Sequence, residues 1–234
     1  MRTEWVDNVS LGMSRALFEL ATRGVQLGIY EAVQVGCRAP VLDAGTASTW
    51  LLAVAGYDFL YYWAHRAQHR SGLLWATHAV HHQATEMNVT VGLRSAVTNS
   101  FAHLPFFLPL AAVGVPTSFY LGVTLIHLVA MTWLHTTKVG HLGWLERWIN
   151  TPMLHGVHHS ASREDADRNF GGLVIVWDRL FGTYAAPTEV ERFGVIGQTE
   201  APGPIAAHLE PYRHLFASLR AAPSLPAKLR ALVL

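Results

Sequence analysis

SAVTNSFAHLPFFLPLAAVGVPTSFYLGVTLIHLVAMTWLHTT, residues 95–137, contains no Asp, Glu, Lys or Arg. One membrane span needs about 20 apolar residues, so this stretch suffices for two. It is broken at Gly114-Val115-Pro116-Thr117, where proline suits the first turn of a second helix. The reading is a membrane hairpin, out through Ser95–Val113 and back through Ser118–Leu134. The rival is a buried helical pair in a soluble protein. Composition favours the membrane: the chain is 51% hydrophobic and only 14% charged, where a soluble domain carries about 25% charged residues.

Upstream, Thr46–Trp63 is apolar and aromatic apart from Asp58 and ends in Tyr61-Tyr62-Trp63, as an interfacial aromatic belt would. Ser10–Val35 carries Arg15, Glu19, Thr22 and Gln26 at helical spacing, with Arg23 beside them. That polar stripe fits a span packed inward or a helix lying in the interface; spanning is the preferred reading. The expected fold is therefore all-α, an integral membrane bundle of about four helices in two hairpins. With both tips outside, the outer loops hold Arg38 alone, while Arg66, Arg70, Arg94, Lys138 and Arg147 fall on the other side. That bias marks the cytoplasmic face.

At 234 residues the chain suits one domain, residues 1–234, with a C-terminal tail from about residue 187. A net charge of +1 and the lack of a dense basic stripe point away from nucleic acid. Cys37 stands alone, which excludes a disulfide framework or a cysteine-based cluster. No cleavable leader is expected, and an Ala-, Gly- and Arg-rich composition suits a bacterial inner membrane.

Histidine carries the chemistry. HRAQH (65–69), HAVHH (78–82) and HGVHH (155–159) hold eight of the 14 histidines, all on the cytoplasmic side of the expected spans. On a helix, residues four apart share a face. Neighbours diverge by about 100 degrees, so adjacent histidines can serve different ions. His65, His69, His78, His81, His82, His155, His158 and His159 exceed what one zinc can use. They suit two ions of four or five nitrogens each, and such nitrogen-rich sites favour iron, although zinc is possible in purified protein. His135, at the cytoplasmic edge of the last span, is a candidate ninth ligand. Asp58 lies seven residues before His65, on nearly the same face, and a carboxylate in an apolar helix is costly without a partner. Asp165, Asp167 and Asp178 are further candidate supports, Asp165 equally reading as a solvated loop charge. His127 reads as polar packing, and His103, His141, His208 and His214 lack partners at ligand spacing.

Together DFLYYWAHRAQH (58–69), LWATHAVHHQATEMNVTVGLR (74–94), WLHT (133–136), NTPMLHGVHHS (150–160) and NFGGLVIVWDRLFGTY (169–184) resemble the fatty acid hydroxylase or sterol desaturase superfamily, nearest to its alkylglycerol monooxygenase-like bacterial branch. The resemblance implies a membrane fold with a cytosolic cap holding two irons, and O2-dependent hydroxylation or desaturation of a lipid. It assigns the eight box histidines and His135 as ligands. Asn88, Asp167, Asn169 and Asp178 would support them. Two positions depart from the pterin-using ether-lipid branch: Arg70 and Thr137 stand where it carries Glu.

The resulting expectation is a membrane di-iron monooxygenase with O2 as co-substrate. A hydrophobic substrate would reach it from the bilayer, and an external donor would supply electrons, since no reductase or haem motif is present. A desaturase or carotenoid-type hydroxylase would use the same core. A metal carrier should instead hold its ligands near the bilayer midplane.

Overall fold

The computed structural model describes residues 3–233. Its elements are all helical: α1 (Glu4–Gly36), α2 (Ala47–Arg70), α3 (Gly72–His82), α4 (Asn99–Ala112), α5 (Thr117–Leu134), α6 (Pro152–His158), α7 (Val176–Phe181), α8 (Pro204–Ala221) and α9 (Leu225–Ala231), with 3-10 turns at Val89–Leu93 and Gly143–Arg147. Only isolated bridges occur in place of strands among the described residues.

Four helices, α1, α2, α4 and α5, form the bundle, and α8, although as long as α5, packs mainly on the short α3. The bundle core is aromatic. Tyr30, Tyr57, Phe107, Phe119 and Tyr120 pack with Leu110, Val115 and Val123, and the Tyr30–Tyr120 and Tyr57–Phe107 rings stack at 4.6 and 4.2 Å. A buried phenol needs a hydrogen-bond partner. Tyr30 finds one by donating to the Val115 carbonyl at 3.0 Å, which also accepts from Gln34.

α2 begins under a Thr46 cap that accepts from the Thr49 N–H and continues through the first His box to Arg70, so the box rides on the long helix as expected. α5 is long and apolar enough to cross a membrane by length and composition, and is the one such helix among the described residues. α4 differs from expectation. It starts at Asn99 rather than near Ser95 and spans 14 residues, about 21 Å of rise. The cause is local: Asn99 is buried and its side-chain carbonyl accepts from Gln68 at 2.7 Å, tying the start of α4 to the functional end of α2. Arg94 is one of the basic residues assigned by sequence to the side opposite the loop tips. It is fully buried, donating to the Val80 carbonyl at 2.6 Å and to Asn8 at 3.1 Å.

At the far end the two interhelical loops meet. The Leu42 N–H donates to the Gly114 carbonyl at 2.9 Å. Gly114 has φ +88°, and a Cβ there would run into the Pro40 carbonyl oxygen. Both constraints demand glycine. Gly114→Ala should therefore lower stability by about 1–3 kcal/mol, read as a fall in the detergent-solubilised melting temperature. An unchanged melting temperature would show that the loop contact contributes nothing.

Candidate metal centre

Each His box ends a helix. His65 and His69 lie in the last turns of α2, His78, His81 and His82 close α3, His155 and His158 close α6, and His159 and His135 are the C-caps of α6 and α5. Helix C-termini carry about half a negative charge each, so four of them converge on the position where neutral imidazoles would leave a cation uncompensated. Thr151 starts α6 by accepting from the Leu154 N–H, with Pro152 at the first helical position, which fixes where that short helix and its histidines begin.

The nine side chains divide into two groups, His65, His69, His78, His82 and His158 in one and His81, His135, His155 and His159 in the other, with all ligand atoms of a group within 4.8 Å of one another. The two His-x-x-His-His motifs each feed both groups. The outer pair, four residues apart, goes to one, and the middle histidine, diverging around the helix, crosses to the other. Eight of the rings are buried, and His81 is half-buried.

The tautomers follow from backbone carbonyls. His65 Nδ1 donates to Phe170 O at 2.9 Å, His81 Nδ1 to Arg94 O at 3.0 Å, His135 Nδ1 to Met131 O at 2.6 Å and His158 Nδ1 to Arg168 O at 2.7 Å. Each neutral ring therefore presents a bare lone pair at Nε2. His81 Nε2 and His135 Nε2 nevertheless lie 3.1 Å apart. Neither has a proton to give, so this contact is repulsive unless a cation sits between the nitrogens. Protonating the rings is opposed by burial, which pushes His81 down to about 4 despite its bond to the Arg94 carbonyl, with the charges of Arg94 and Arg15 adding to the drop. Burial, reinforced by His81, likewise holds His135 well below the usual histidine range. His158 Nε2 is buried with no protein partner. This donor set fits metal ions.

The spacing bears on the choice of metal. The Nε2–Nε2 edges are 3.0 Å for His65–His78, 3.1 Å for His78–His82 and for His69–His82, and 3.0–3.2 Å among His135, His155 and His159. Two nitrogens about 2.1 Å from one ion are about 3.0 Å apart at right angles and about 3.4 Å apart at the tetrahedral angle. These shortest edges lie nearer the right-angle value than the tetrahedral one.

Of the expected supporting residues, Asp178, Asn169 and Asn88 act on the backbone, and Asp167 faces a ring. Asp178 accepts from Phe170 N and Gly171 N, both at 2.7 Å, and from the Thr183 hydroxyl at 2.6 Å, so it holds the carbonyl that orients His65. Burial raises its pKa and these bonds oppose the rise. Asn169, at φ 55°, donates to Leu154 O and Ala185 O and pins the loop to α6. Asp167 lies 3.6 Å from His69 Nδ1 and 3.2 Å from Arg70. Arg70, where a Glu was the reference, is thus its ion-pair partner. Asn88 caps the 3-10 turn leading to Arg94 by accepting from Thr90 N and its hydroxyl. Asp165 stays in the loop ahead of Asp167.

Asp58, on the same helix two turns before His65, bonds to the loop that follows Phe170 rather than to the ring. Its partners are Leu173 N at 2.6 Å, Val174 N at 3.4 Å and the Trp177 indole at 2.9 Å. It docks the loop that follows Phe170, and a Cβ on Gly172 would meet its carboxylate at 2.6 Å. His127 Nε2 is 3.1 Å from Asp58, a distance for an ion pair without hydrogen-bond alignment. It packs between Tyr57 and Tyr61, a polar packing residue. Of the other histidines, His103 joins Gln68 Oε1 at 2.7 Å, His141 faces Glu146 at 3.3 Å, and His208 accepts from Val97 N. Sequence reading missed the anchoring carbonyls of Phe170, Arg94, Met131 and Arg168, because a carbonyl has no residue-type signature. Gln68, Asn99 and His103 were missed because they became a network only through packing.

Two cavities reach the centre. One, of about 310 Å³, is lined by His78, His81, His135 and His155 at one end and by Tyr57, Tyr61, Leu125 and Arg15 farther into the bundle. The other, of about 240 Å³, lies against His69, His82 and His158 beneath Trp75 and Asp167.

The model of the fatty acid hydroxylase family matches residues 50–183, which include all nine histidines. The chain belongs to this family. It is 36% identical over 192 residues to an alkylglycerol monooxygenase of Danio rerio, covering 82% of this chain and 43% of that one. It is 33% identical over 211 residues to the Homo sapiens alkylglycerol monooxygenase, covering 90% and 46%. An ornithine lipid hydroxylase of Rhizobium tropici is 28% identical over 158 residues, covering 66% and 47%. The chain spans less than half the length of these relatives. No solved structure matches it.

Replacing Asp178 tests the backbone route of support. Asp178→Asn loosens the carbonyl that orients His65 and should lower metal affinity about 10- to 100-fold while the helical content stays intact. Wild-type metal content after dialysis against a weak chelator would refute that role.

Proposed function

We propose that this protein is an integral membrane, O2-dependent di-iron hydroxylase of an amphiphilic lipid, acting as one domain over residues 1–234. The observation that carries the reading is the pair of lone-pair clusters, His65, His69, His78, His82 and His158 beside His81, His135, His155 and His159, bordered by a cavity that touches members of both. Bound there, iron would supply activation of O2 and oxidation of an unactivated C–H bond. The relatives are named as monooxygenases and hydroxylases, which favours hydroxylation over desaturation. Edges nearer the right-angle value favour iron over zinc.

The protein's own part is to hold, aim and exclude water. The carbonyls of Phe170, Arg94, Met131 and Arg168 keep four Nε2 lone pairs pointed at the centre. Tyr57, Tyr61, Phe107 and Leu128 line an apolar path from the bundle, suited to an alkyl chain arriving from the bilayer. Electrons come from an external donor.

For the membrane, we propose four spans, with α1 and α2 forming one hairpin and α4 and α5 the other. The metal centre then lies in a helical cap on the cytoplasmic side, in a bacterial inner membrane. The contact between the two loop tips at Leu42 and Gly114 supports a common side for both tips. The ligands gather at helix ends rather than at midspan, which favours an enzyme over a carrier. A reporter fused after Leu234 should lie in the cytoplasm and one inserted near Val115 outside; both on one side would overturn the four-span arrangement.

The metal reading makes a sharper demand. His81→Ala and His158→Ala, from different groups and different motifs, should each abolish turnover and lower bound iron. The double variant should be no worse than either, because parts of one unit are not additive. His141→Ala should keep most activity. Two irons and normal turnover in His81→Ala, or product that carries no label from labelled O2, would sink the proposal.

A further inference from the structure

α1 lies outside the residues matched by the family model, yet it forms one wall of the larger cavity. Arg15, Glu19, Arg23 and Gln26 line it from α1, facing the wall that carries His81, His135 and His155. Arg15 Nε donates to Glu19 Oε1 at 2.8 Å and Arg23 Nη2 donates to Glu19 Oε2 at 3.2 Å, with side chains 25%, 16% and 32% exposed. One carboxylate thus bridges two guanidiniums. Each guanidinium has five N–H donors, so most of each fork remains for a ligand.

The charge does not balance. The lining contains Arg15, Arg23 and Arg94 against the single carboxylate of Glu19. Arg94 is committed to Val80 O, Asn8 Oδ1 and Pro202 O. Even with Arg94 set aside, two arginines face one glutamate. Unbalanced charge at membrane depth is costly unless it serves a ligand. The opposite wall is polar too, where Asn99 and His103 meet around Gln68. The apolar remainder of the cavity includes Leu125 and Leu128 of α5, which are 60% and 41% exposed on the outer face of the bundle. A polar head therefore has a seat on α1, and its tail has a way out past α5.

Resting on the lipid-hydroxylase reading for the identity of the cavity, we propose that Arg15 and Arg23, bridged by Glu19, bind the anionic headgroup of an amphiphilic substrate. Guanidinium forks match phosphate and carboxylate oxygens in pairs, and an amphiphile with its anion held here presents its nearest carbons to the wall of histidines. Glu19 keeps the two forks aligned and limits the charge when the seat is empty.

Equilibrium binding of labelled hexadecyl phosphate and labelled hexadecanol to the full chain in nonionic detergent tests this. The wild type should bind the phosphate about ten-fold or more tighter than the alcohol. The Arg15→Gln, Arg23→Gln double variant should lose that preference. Glu19→Gln should bind the phosphate about three-fold or more tighter than the wild type, a gain that misfolding does not mimic. The binding is measured without reductant, where no turnover occurs, so failure of the oxidation chemistry leaves this result standing. Equal binding of the two probes by wild type, or a preference that survives in the double arginine variant, overturns the headgroup seat even where hydroxylation is demonstrated.

Discussion

Bare imidazole lone pairs held about 3 Å apart are the constraint around which the rest of the structure is arranged. In an empty protein those contacts repel, and burial blocks relief by protonation. A cation between the nitrogens would turn that repulsion into attraction, and binding it would then stabilise the folded arrangement of these helix ends. The repeated use of helix C-termini follows. They bring histidine side chains and partial negative charge to the same place, and neutral ligands require the second as much as the first.

Tautomer control determines the remaining architecture. Each anchored ring needs a carbonyl at the right depth, and the four carbonyls come from three separate segments. The loop carrying Phe170 is the most elaborately held. Asp178 grips its amides, Asn169 pins it to α6, and Asp58 reaches from α2 to the residues that follow. Three polar side chains that touch no ligand nitrogen thus share one task. Removing the backbone between them would leave His65 free to rotate and its lone pair unaimed.

The bundle beneath the cap does different work. Its aromatic core packs away from the histidines, while between α1, α4 and α5 it leaves a chamber with polar side chains from α1 and α4 and apolar ones from α5. The stripe on α1 that made its membrane placement ambiguous in the sequence faces this chamber. The charges of this helix therefore line an internal cavity rather than an outer face.

The eight box histidines, the C-terminal position of His135, the helical class and the course of α2 were all legible in the sequence. Each is a local property: spacing of four places two rings on one face, and a run without charge suits a buried or lipid-facing helix. The partition of the ligands was half legible. The divergence of adjacent histidines around a helix separates His81 from His82, but nothing local says that His158 joins the partners of His65 rather than those of His155. Asp58 shows the same limit, since sharing a face with His65 did not make it a partner of His65. What only the tertiary structure decided is which carbonyl orients which ring, that Arg94 is buried, and that the α1 stripe meets the metal cavity. The physical reason is that hydrogen-bond satisfaction and charge burial depend on segments dozens of residues apart coming within about 3 Å, while the sequence by itself encodes periodicity and side-chain chemistry.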